Sequence, residues 1–158
     1  MARKKKKPAF TVDVADAGED TFTAVFEMLL ADHAEAGIVP LNASKTAEVC
    51  YRTLDQGMSL VARDATGAVI GSMGIVREQF WYSDTEFLRD VWLYVTPAWR
   101  SKNVGTMLMT AARAVADAHS LFLFITIANP KRRVKPTPMG IIAQEAGYIP
   151  VGYTFRRA

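Results

Sequence analysis

The stretch Val91–Gly105, VWLYVTPAWRSKNVG, is the part of the sequence that decides the predicted fold. It begins with β-branched, aromatic and aliphatic residues, which favour a buried strand. Thr96 and Pro97 end that strand, because proline has no N–H to donate to a sheet. A turn of small and polar residues follows, and then a helix whose apolar residues recur at helical spacing: Val104, Leu108, Ala111, Val115 and Ala118. Unpaired N–H groups and the helix dipole meet at such a junction, so the pattern predicts a phosphate site.

The composition of this turn excludes two common nucleotide sites, because neither G-x-x-x-x-G-K-[ST] nor G-x-G-x-x-G is present. Leu93–Pro97 followed by Arg100–Gly105 instead resembles the acetyl-CoA signature of the GNAT superfamily, the acetyl-CoA-dependent N-acetyltransferases. That signature runs apolar-x-Val-x-Pro, then Arg or Gln, x, x, Gly, x, and Gly or Ala. Asn103 stands where the first glycine is usual, and asparagine tolerates the left-handed backbone conformation better than most residues.

The resemblance implies that acetyl-CoA is the cosubstrate and that one strand end and one turn bind it. The strands at 86–95 and 121–128 should separate after Val95, which frees backbone N–H groups for the pantetheine arm and the acetyl oxygen. The residues implied at this strand end are Leu93, Tyr94 and Val95. The residues implied to hold the pyrophosphate are Ser101, Lys102, Asn103, Val104, Gly105 and Thr106, with Arg100 beside them. Asn129 is implied to bond the pantetheine amide, or else it only ends its strand.

Proton transfer is less well determined by the sequence. In similar proteins a Glu or Asp on the central strand, or a water held by one, acts as the base. Asp90 and Glu86 share one parity on that strand. A buried carboxylate near Trp92 would have a raised pKa suited to this task, whereas both carboxylates would be inert if solvated or paired with Arg89 or Arg77. The usual acid of the family is a Tyr in the last helix, and Ala143 occupies its position. Tyr148 is predicted to pack in the core.

Composition limits the class of protein. The chain has 158 residues, enough for one domain, with no apolar run as long as a membrane span and no secretory signal. One cysteine, Cys50, suits the reducing cytoplasm and is predicted to lie in the core, and the few scattered ligating residues predict no metal site. Five of the positive charges lie in Arg3–Lys7. Residues 1–8 are therefore predicted to be a disordered basic tail, and 9–158 a single GNAT domain.

The predicted fold class is α/β (α+β), with the element order β-α-α-β-β-β-α-β-α-β. Its sheet is mixed and mostly antiparallel, with a central pair of parallel strands that splay apart. Ser44 is the predicted N-cap of the second helix, Leu121–Ala128 is predicted to be buried on both faces, and Ile149–Phe155 is the predicted last strand. Acceptor walls are expected from Ile38–Ala43 and Trp81–Asp84.

The resemblance implies a cytoplasmic N-acetyltransferase in which a primary amine, on a small molecule or a peptide, attacks acetyl-CoA directly. The alternative is a catalytically weak or inactive GNAT-fold module that binds CoA or nucleic acid. The basic tail and the Lys131–Lys135 loop would serve a nucleic acid or another acidic partner. A homodimer is compatible with the sequence, and a membrane partner is not expected.

Overall fold

The structure, a computed structural model, describes residues 9–36, 40–126 and 138–149. Its strands are β1 (Phe10–Val14), β2 (Leu60–Asp64), β3 (Val69–Gln79), β4 (Glu86–Val95) and β5 (Phe122–Phe124). Its helices are α1 (Glu19–Ala36), α2 (Ala43–Asp55), α3 (Val104–His119) and α4 (Pro138–Glu145), and a 3-10 turn covers Pro97–Trp99. Among these described helices, none combines the length and the apolar character needed to cross a membrane.

The strands form one sheet in the order β1-β2-β3-β4-β5. Neighbouring strands are antiparallel except for β4 and β5, which are parallel. This confirms the predicted fold class and the predicted element order as far as α4. The predicted last strand lies outside the described residues, apart from its first residue, Ile149.

Apolar side chains pack on both faces of the sheet. One core lies between the sheet and α3 and includes Leu60 and Leu108. The other lies between the sheet and the α1–α2 pair and includes Val61, Leu54 and Cys50. Leu60 and Val61 are neighbours in β2 yet enter different cores, because successive side chains of a strand point to opposite faces. Cys50 is fully buried, as predicted, and burial raises the pKa of its thiol to about 11.

Helix α3 lies close to β3 because residue 71 is a glycine. A Cβ at Gly71 would come within 3.1 Å of Val104 Cγ1 and 3.2 Å of the Tyr94 carbonyl oxygen. Real Cβ contacts this short are rare, so a side chain at this position would push α3 away from the sheet. Gly71 thereby fixes the first turn of α3 directly beside the end of β4.

Two local predictions were wrong. The N-cap of α2 is Asn42 rather than Ser44, because the Asn42 Oδ1 accepts a hydrogen bond from the Lys45 N–H at 3.0 Å. Strand β5 is not buried on both faces, because Phe122 is 69% exposed. Among the described strands β5 lies at the edge of the sheet, and only β4 pairs with it.

Candidate active site

Strand β4 contains a β-bulge at Val91. In the register with β3, Gly74 pairs with Trp92 and Ile75 pairs with Asp90, so Val91 has no partner residue of its own. The extra residue reverses which face each later side chain occupies. Residue 88 therefore packs in the α3-side core, whereas Trp92 packs in the α1-side core.

The Trp92 indole lies over Gly74 and holds the bulge in place. A Cβ at Gly74 would come within 2.5 Å of three Trp92 ring atoms, so only glycine leaves room for the ring. The indole N–H donates to the Ser72 Oγ at 3.1 Å, so the buried ring has its polar group satisfied.

Replacing Gly74 with Ala is expected to lower the free energy of unfolding by about 1–3 kcal/mol, the usual cost of overpacking a core. The stability lost through Gly74→Ala should be smaller in a protein that already has Leu in place of Trp92, because the ring that clashes with the new Cβ is then absent. Urea denaturation of the two single variants and the double variant measures this coupling. Gly105→Ala is the control, since a Cβ there has its nearest neighbour at 4.0 Å. Additive losses would show that the ring and the glycine do not constrain each other.

The parallel strands separate earlier than predicted. Strand β5 pairs with β4 only over Phe87–Arg89, so the splay begins at Asp90 and not after Val95. The bulge bends β4 at this point. The Asp90 Oδ1 accepts a hydrogen bond from the Thr126 N–H at 2.9 Å. A carboxylate thus satisfies the N–H of the departing chain, beyond the last described backbone pair.

Alternate backbone groups of β4 face the opened edge. The Thr96 N–H donates to the Ile70 carbonyl of β3 at 3.0 Å. In an antiparallel pair every second residue bonds in this way, so the Tyr94 N–H also faces β3. The N–H groups of Leu93 and Val95 then point to the other edge, where β5 has separated from β4. The prediction that all three N–H groups become free was therefore wrong for Tyr94.

The N-terminus of α3 lies next to this edge. Its N-cap, Asn103, has φ 63°, the left-handed conformation that asparagine tolerates better than most residues, and its side chain makes no capping hydrogen bond. The N–H groups of Val104, Gly105 and Thr106 belong to the first helical turn, which has no intrahelical acceptors for them. The first turn of α3 also contains no acidic residue. These N–H groups point out of the helix N-terminus, where they and the positive end of the helix dipole favour an anion.

The Arg100 guanidinium is directed to the α1 side and bonds to protein groups. Its Nε donates to the Val95 carbonyl at 2.9 Å, and its Nη2 lies 2.7 Å from the Glu35 Oε2. Its Cζ also lies 5.3 Å from the centre of the Tyr94 ring. Sequence analysis missed Glu35, because no motif marks it and 65 residues separate it from Arg100.

The two candidate bases occupy different environments. Asp90 is only 7% exposed and lies on the same face as Leu88, so the bulge separates it from Trp92, whose ring is on the other face. Burial raises the pKa of the Asp90 carboxyl, against opposing effects of the Thr126 N–H and Arg89. Glu86 begins β4, roughly 30 Å along the strand from its end. The Glu86 Oε2 lies 3.6 Å from the Arg77 Nη1. Glu86 thus forms the ion pair with Arg77 that Sequence analysis gave as the alternative to a catalytic role.

Replacing Asp90 with Asn is expected to stabilise the protein at pH 7.5, and the gain should shrink as the pH falls toward 4. A raised pKa means that the folded state binds this proton more tightly than the unfolded chain does. The stability it contributes is therefore complete below the ordinary carboxyl pKa and is lost as the pH rises through the folded-state pKa. Asn stays neutral and can still accept from the Thr126 N–H. Urea denaturation at several pH values measures the difference.

Asp90→Ala is the matched control. Neither variant titrates at residue 90, so Asp90→Ala should be less stable than Asp90→Asn by about 1–3 kcal/mol at every pH, because the Thr126 N–H loses its acceptor. A stability of Asp90→Asn that follows the wild type at every pH would contradict the raised pKa.

Of the remaining predicted site residues, some lie in the described part of the chain and some lie outside it. Ala143 is buried in α4, and the Tyr148 hydroxyl donates to the Met109 carbonyl at 2.9 Å, while burial raises its pKa to about 12. Tyr148 is therefore half-buried against α3 and does not enter either core, where it was predicted to pack. The Trp81–Asp84 connection adjoins the start of β4, at the opposite end from Thr96. Asn129 and the Lys131–Lys135 loop lie outside the described residues, and so does part of Ile38–Ala43. The described part of the chain contains no cluster of ligating side chains suited to a metal ion.

Solved structures share this fold at low sequence identity. A GCN5-related N-acetyltransferase from Ralstonia eutropha JMP134 has a TM-score of 0.66 and 17% identity, over 94% of this chain and 98% of that chain. An aminoglycoside acetyltransferase from an uncultured soil metagenomic sample, in complex with sisomicin, has a TM-score of 0.66 and 12% identity, over 95% and 97%. A predicted acetyltransferase from Clostridium acetobutylicum with acetyl-CoA has a TM-score of 0.70 and 11% identity, over 94% and 96%.

Such identities show the fold alone, and no curated protein matches the sequence at a significant level. A family model provides the stronger comparison. Residues 55–135, about half of the chain, match the model of the acetyltransferase (GNAT) domain. That segment contains β4, the splay, the turn and all of α3. The chain therefore belongs to the GNAT acetyltransferase family.

Proposed function

We propose that this protein is an N-acetyltransferase that moves the acetyl group of acetyl-CoA to a primary amine by direct attack. Residues 9–158 would form its single catalytic domain, after a short basic tail at 1–8. The observation that carries the proposal is the opened edge of β4, where the N–H groups of Leu93 and Val95 lie beside the N-terminus of α3. One solved neighbour was determined with acetyl-CoA, which supports this choice of cosubstrate.

The described residues would hold two parts of the cosubstrate, the pantetheine arm with its thioester and the pyrophosphate. Leu93 and Val95 would donate backbone hydrogen bonds to the pantetheine arm and the acetyl oxygen. The turn and first helical residues would hold the pyrophosphate through backbone N–H groups: Ser101, Asn103, Val104, Gly105 and Thr106. The Asn103 conformation supports this role, because left-handed backbone at a helix start turns N–H groups toward one point. The Lys102 N–H donates to the Trp99 carbonyl at 3.1 Å, so Lys102 would contribute the charge of its side chain instead. Acetyl-CoA supplies the activated thioester, and Asn129 remains proposed as a further contact to its arm.

Asp90 is the proposed base. It is buried at the point where the strands separate, and burial raises the pKa of its carboxyl above the usual value, which makes it a stronger base than an exposed carboxylate. It lies three residues before Leu93, about 10 Å along the strand and on the α3 face, so a chain of waters through the opened edge would carry the proton from the amine to the carboxylate. Glu86 is not proposed, because of its distance from this edge and its contact with Arg77.

The proposed acceptor is a cationic amine on a small molecule or a peptide. A solved neighbour is an aminoglycoside acetyltransferase in complex with sisomicin, which is a polyamine. Without Arg3–Lys7 the formal charge changes from +3 to 3 − 5 = −2, so the body of this protein is slightly acidic. An acidic body attracts cations rather than nucleic acids. The solved neighbours give no support to a nucleic-acid partner or to a homodimer.

Two measurements test the proposal. Titration calorimetry should show acetyl-CoA binding, and release of free thiol from acetyl-CoA should depend on an added amine. Sisomicin, spermidine and a lysine-containing peptide are suitable probes. Absence of binding at millimolar acetyl-CoA would contradict the cofactor site. Binding without thiol release for any amine would favour the alternative, a CoA-binding module without catalysis.

A further inference from the structure

Three side chains form a closed group on the α1 face of β4, which we name the Glu35 clasp: Glu35, Tyr94 and Arg100. The Tyr94 hydroxyl donates to the Glu35 Oε1 at 2.7 Å. The Arg100 Nη2 donates to the Glu35 Oε2 at 2.7 Å, and the guanidinium lies against the Tyr94 ring. Both carboxylate oxygens of Glu35 are therefore occupied.

The clasp joins the end of α1 to the end of β4 and to the turn before α3. Glu35 is the penultimate residue of α1, and the Arg100 Nε bonds to the Val95 carbonyl at the opened edge. Tyr94 and Arg100 hold the pKa of the Glu35 carboxyl below its usual range, so the ion pair persists at neutral pH. Asp32, half-buried one turn earlier, interacts electrostatically with both Arg100 and Glu35.

Among the described residues, α3 and the Glu35 clasp lie on opposite sides of the opened edge of β4. Helix α3 covers one face, where Val95 packs against Val104 and Leu108 in the same core. A cosubstrate whose pyrophosphate lies at the α3 N-terminus occupies that side, so an amine must reach the acetyl group from the α1 face. An ammonium on this path passes the Arg100 guanidinium.

We propose that Glu35 is a positioning and specificity-determining residue, which neutralises Arg100 and holds it aside so that a cationic amine can reach the acetyl group. This inference rests on the proposed N-acetyltransferase function. Glu35 acts through Arg100 rather than by binding the amine, because its negative charge is already neutralised by the guanidinium that it contacts. Without it, an uncompensated positive charge would repel the ammonium.

The test compares Glu35→Gln with the double variant Glu35→Gln, Arg100→Gln. Gln retains an acceptor for the Tyr94 hydroxyl and removes only the charge, so the fold should be preserved. We expect the KM for sisomicin to rise about tenfold in the single variant, the order expected for one uncompensated charge near a partly exposed site. The effect should fall as salt is raised. The double variant restores neutrality and should return the KM to near the wild-type value.

The control variant is Glu27→Gln, which removes the same charge from an exposed position of α1 about 12 Å earlier along the helix. Its sisomicin KM should stay within about twofold of the wild type, because the salt in the buffer screens the interaction between exposed charges that are more than about 10 Å apart. Titration of acetyl-CoA into Glu35→Gln and Glu27→Gln should give a Kd within about threefold of the wild type, because neither change touches the backbone that is proposed to hold the cofactor. The double variant also loses the Arg100 bond to the Val95 carbonyl, so its sisomicin KM is measured at saturating acetyl-CoA.

Calorimetry with sisomicin provides a second measurement that needs no turnover. Weaker binding by Glu35→Gln, restored in the double variant, supports the inference. Equal affinity in all variants overturns it, as does a wild type that binds neither sisomicin nor spermidine. Failure of the proposed function has a different signature, because acetyl-CoA would then not bind or no amine would release thiol.

Discussion

Replacing Asp90 with Asn is expected to lower the turnover number about 100-fold at neutral pH, the lower end of what general base catalysis contributes. Asn has nearly the same shape and can accept the Thr126 N–H, so the strand end should stay in place. It cannot accept a proton from the amine. The wild-type rate should rise with pH through the raised pKa of Asp90, and this limb of the profile should disappear in the variant.

Two further variants separate proton transfer from holding the strand. Asp90→Ala removes both functions and should be slower still, with weaker acetyl-CoA binding. Glu86→Gln should retain wild-type turnover, because Glu86 contacts Arg77 away from the splay. If Asp90→Asn keeps its turnover within threefold while Asp90→Ala loses it, then Asp90 holds Thr126 and another group accepts the proton. Stopped assays of thiol release give all three rates.

Replacing Thr106 with Glu should weaken acetyl-CoA binding roughly 100-fold. A carboxylate about 5 Å from the pyrophosphate repels it by about 3 kcal/mol at the effective dielectric of a protein surface. The same carboxylate should slightly stabilise the helix, because the first turn of α3 contains no acidic residue and its dipole favours one. Binding and stability are therefore expected to change in opposite directions. This combination cannot arise from a damaged fold.

Thr110→Glu is the matched control for this prediction. It places the same side chain one turn later, at an exposed position of α3. Acetyl-CoA affinity should change by less than about threefold there, since the first-turn N–H groups are untouched. Calorimetry measures both affinities, and thermal melting measures both stabilities. Equal loss of affinity in the two variants would mean that the pyrophosphate does not lie at the α3 N-terminus.

The sequence was sufficient where the cause of a structure is local. Residues 91–119 form the predicted strand, turn and helix, because apolar periodicity and Pro97 act over a few neighbouring residues. Asn103 adopts the left-handed conformation, which asparagine tolerates better than most residues, and this too is a local property. The turn at Asp64–Gly67 is also observed, with the Gly67 N–H donating to the Asp64 carbonyl at 3.0 Å. The family resemblance rested on these same local residues.

The candidate site depends on contacts between residues that are distant in the sequence, and no sequence pattern predicted these contacts. The place where the strands part is set by the bulge at Val91, which exists because Trp92 needs the space above Gly74 in another strand. That one extra residue also moves Trp92 to the face opposite Asp90, which no count of alternating residues within β4 predicts.

The sequence by itself determined the fold class, the family resemblance and the turn predicted to hold a phosphate, because each follows from short-range patterns. Only the tertiary structure decided which groups face the opened edge, that Asp90 bonds to Thr126, and that Glu35 pairs with Arg100. The physical reason is the same in each case. Hydrogen bonds and ion pairs act over a few ångströms, so they depend on which distant segments the sheet brings together.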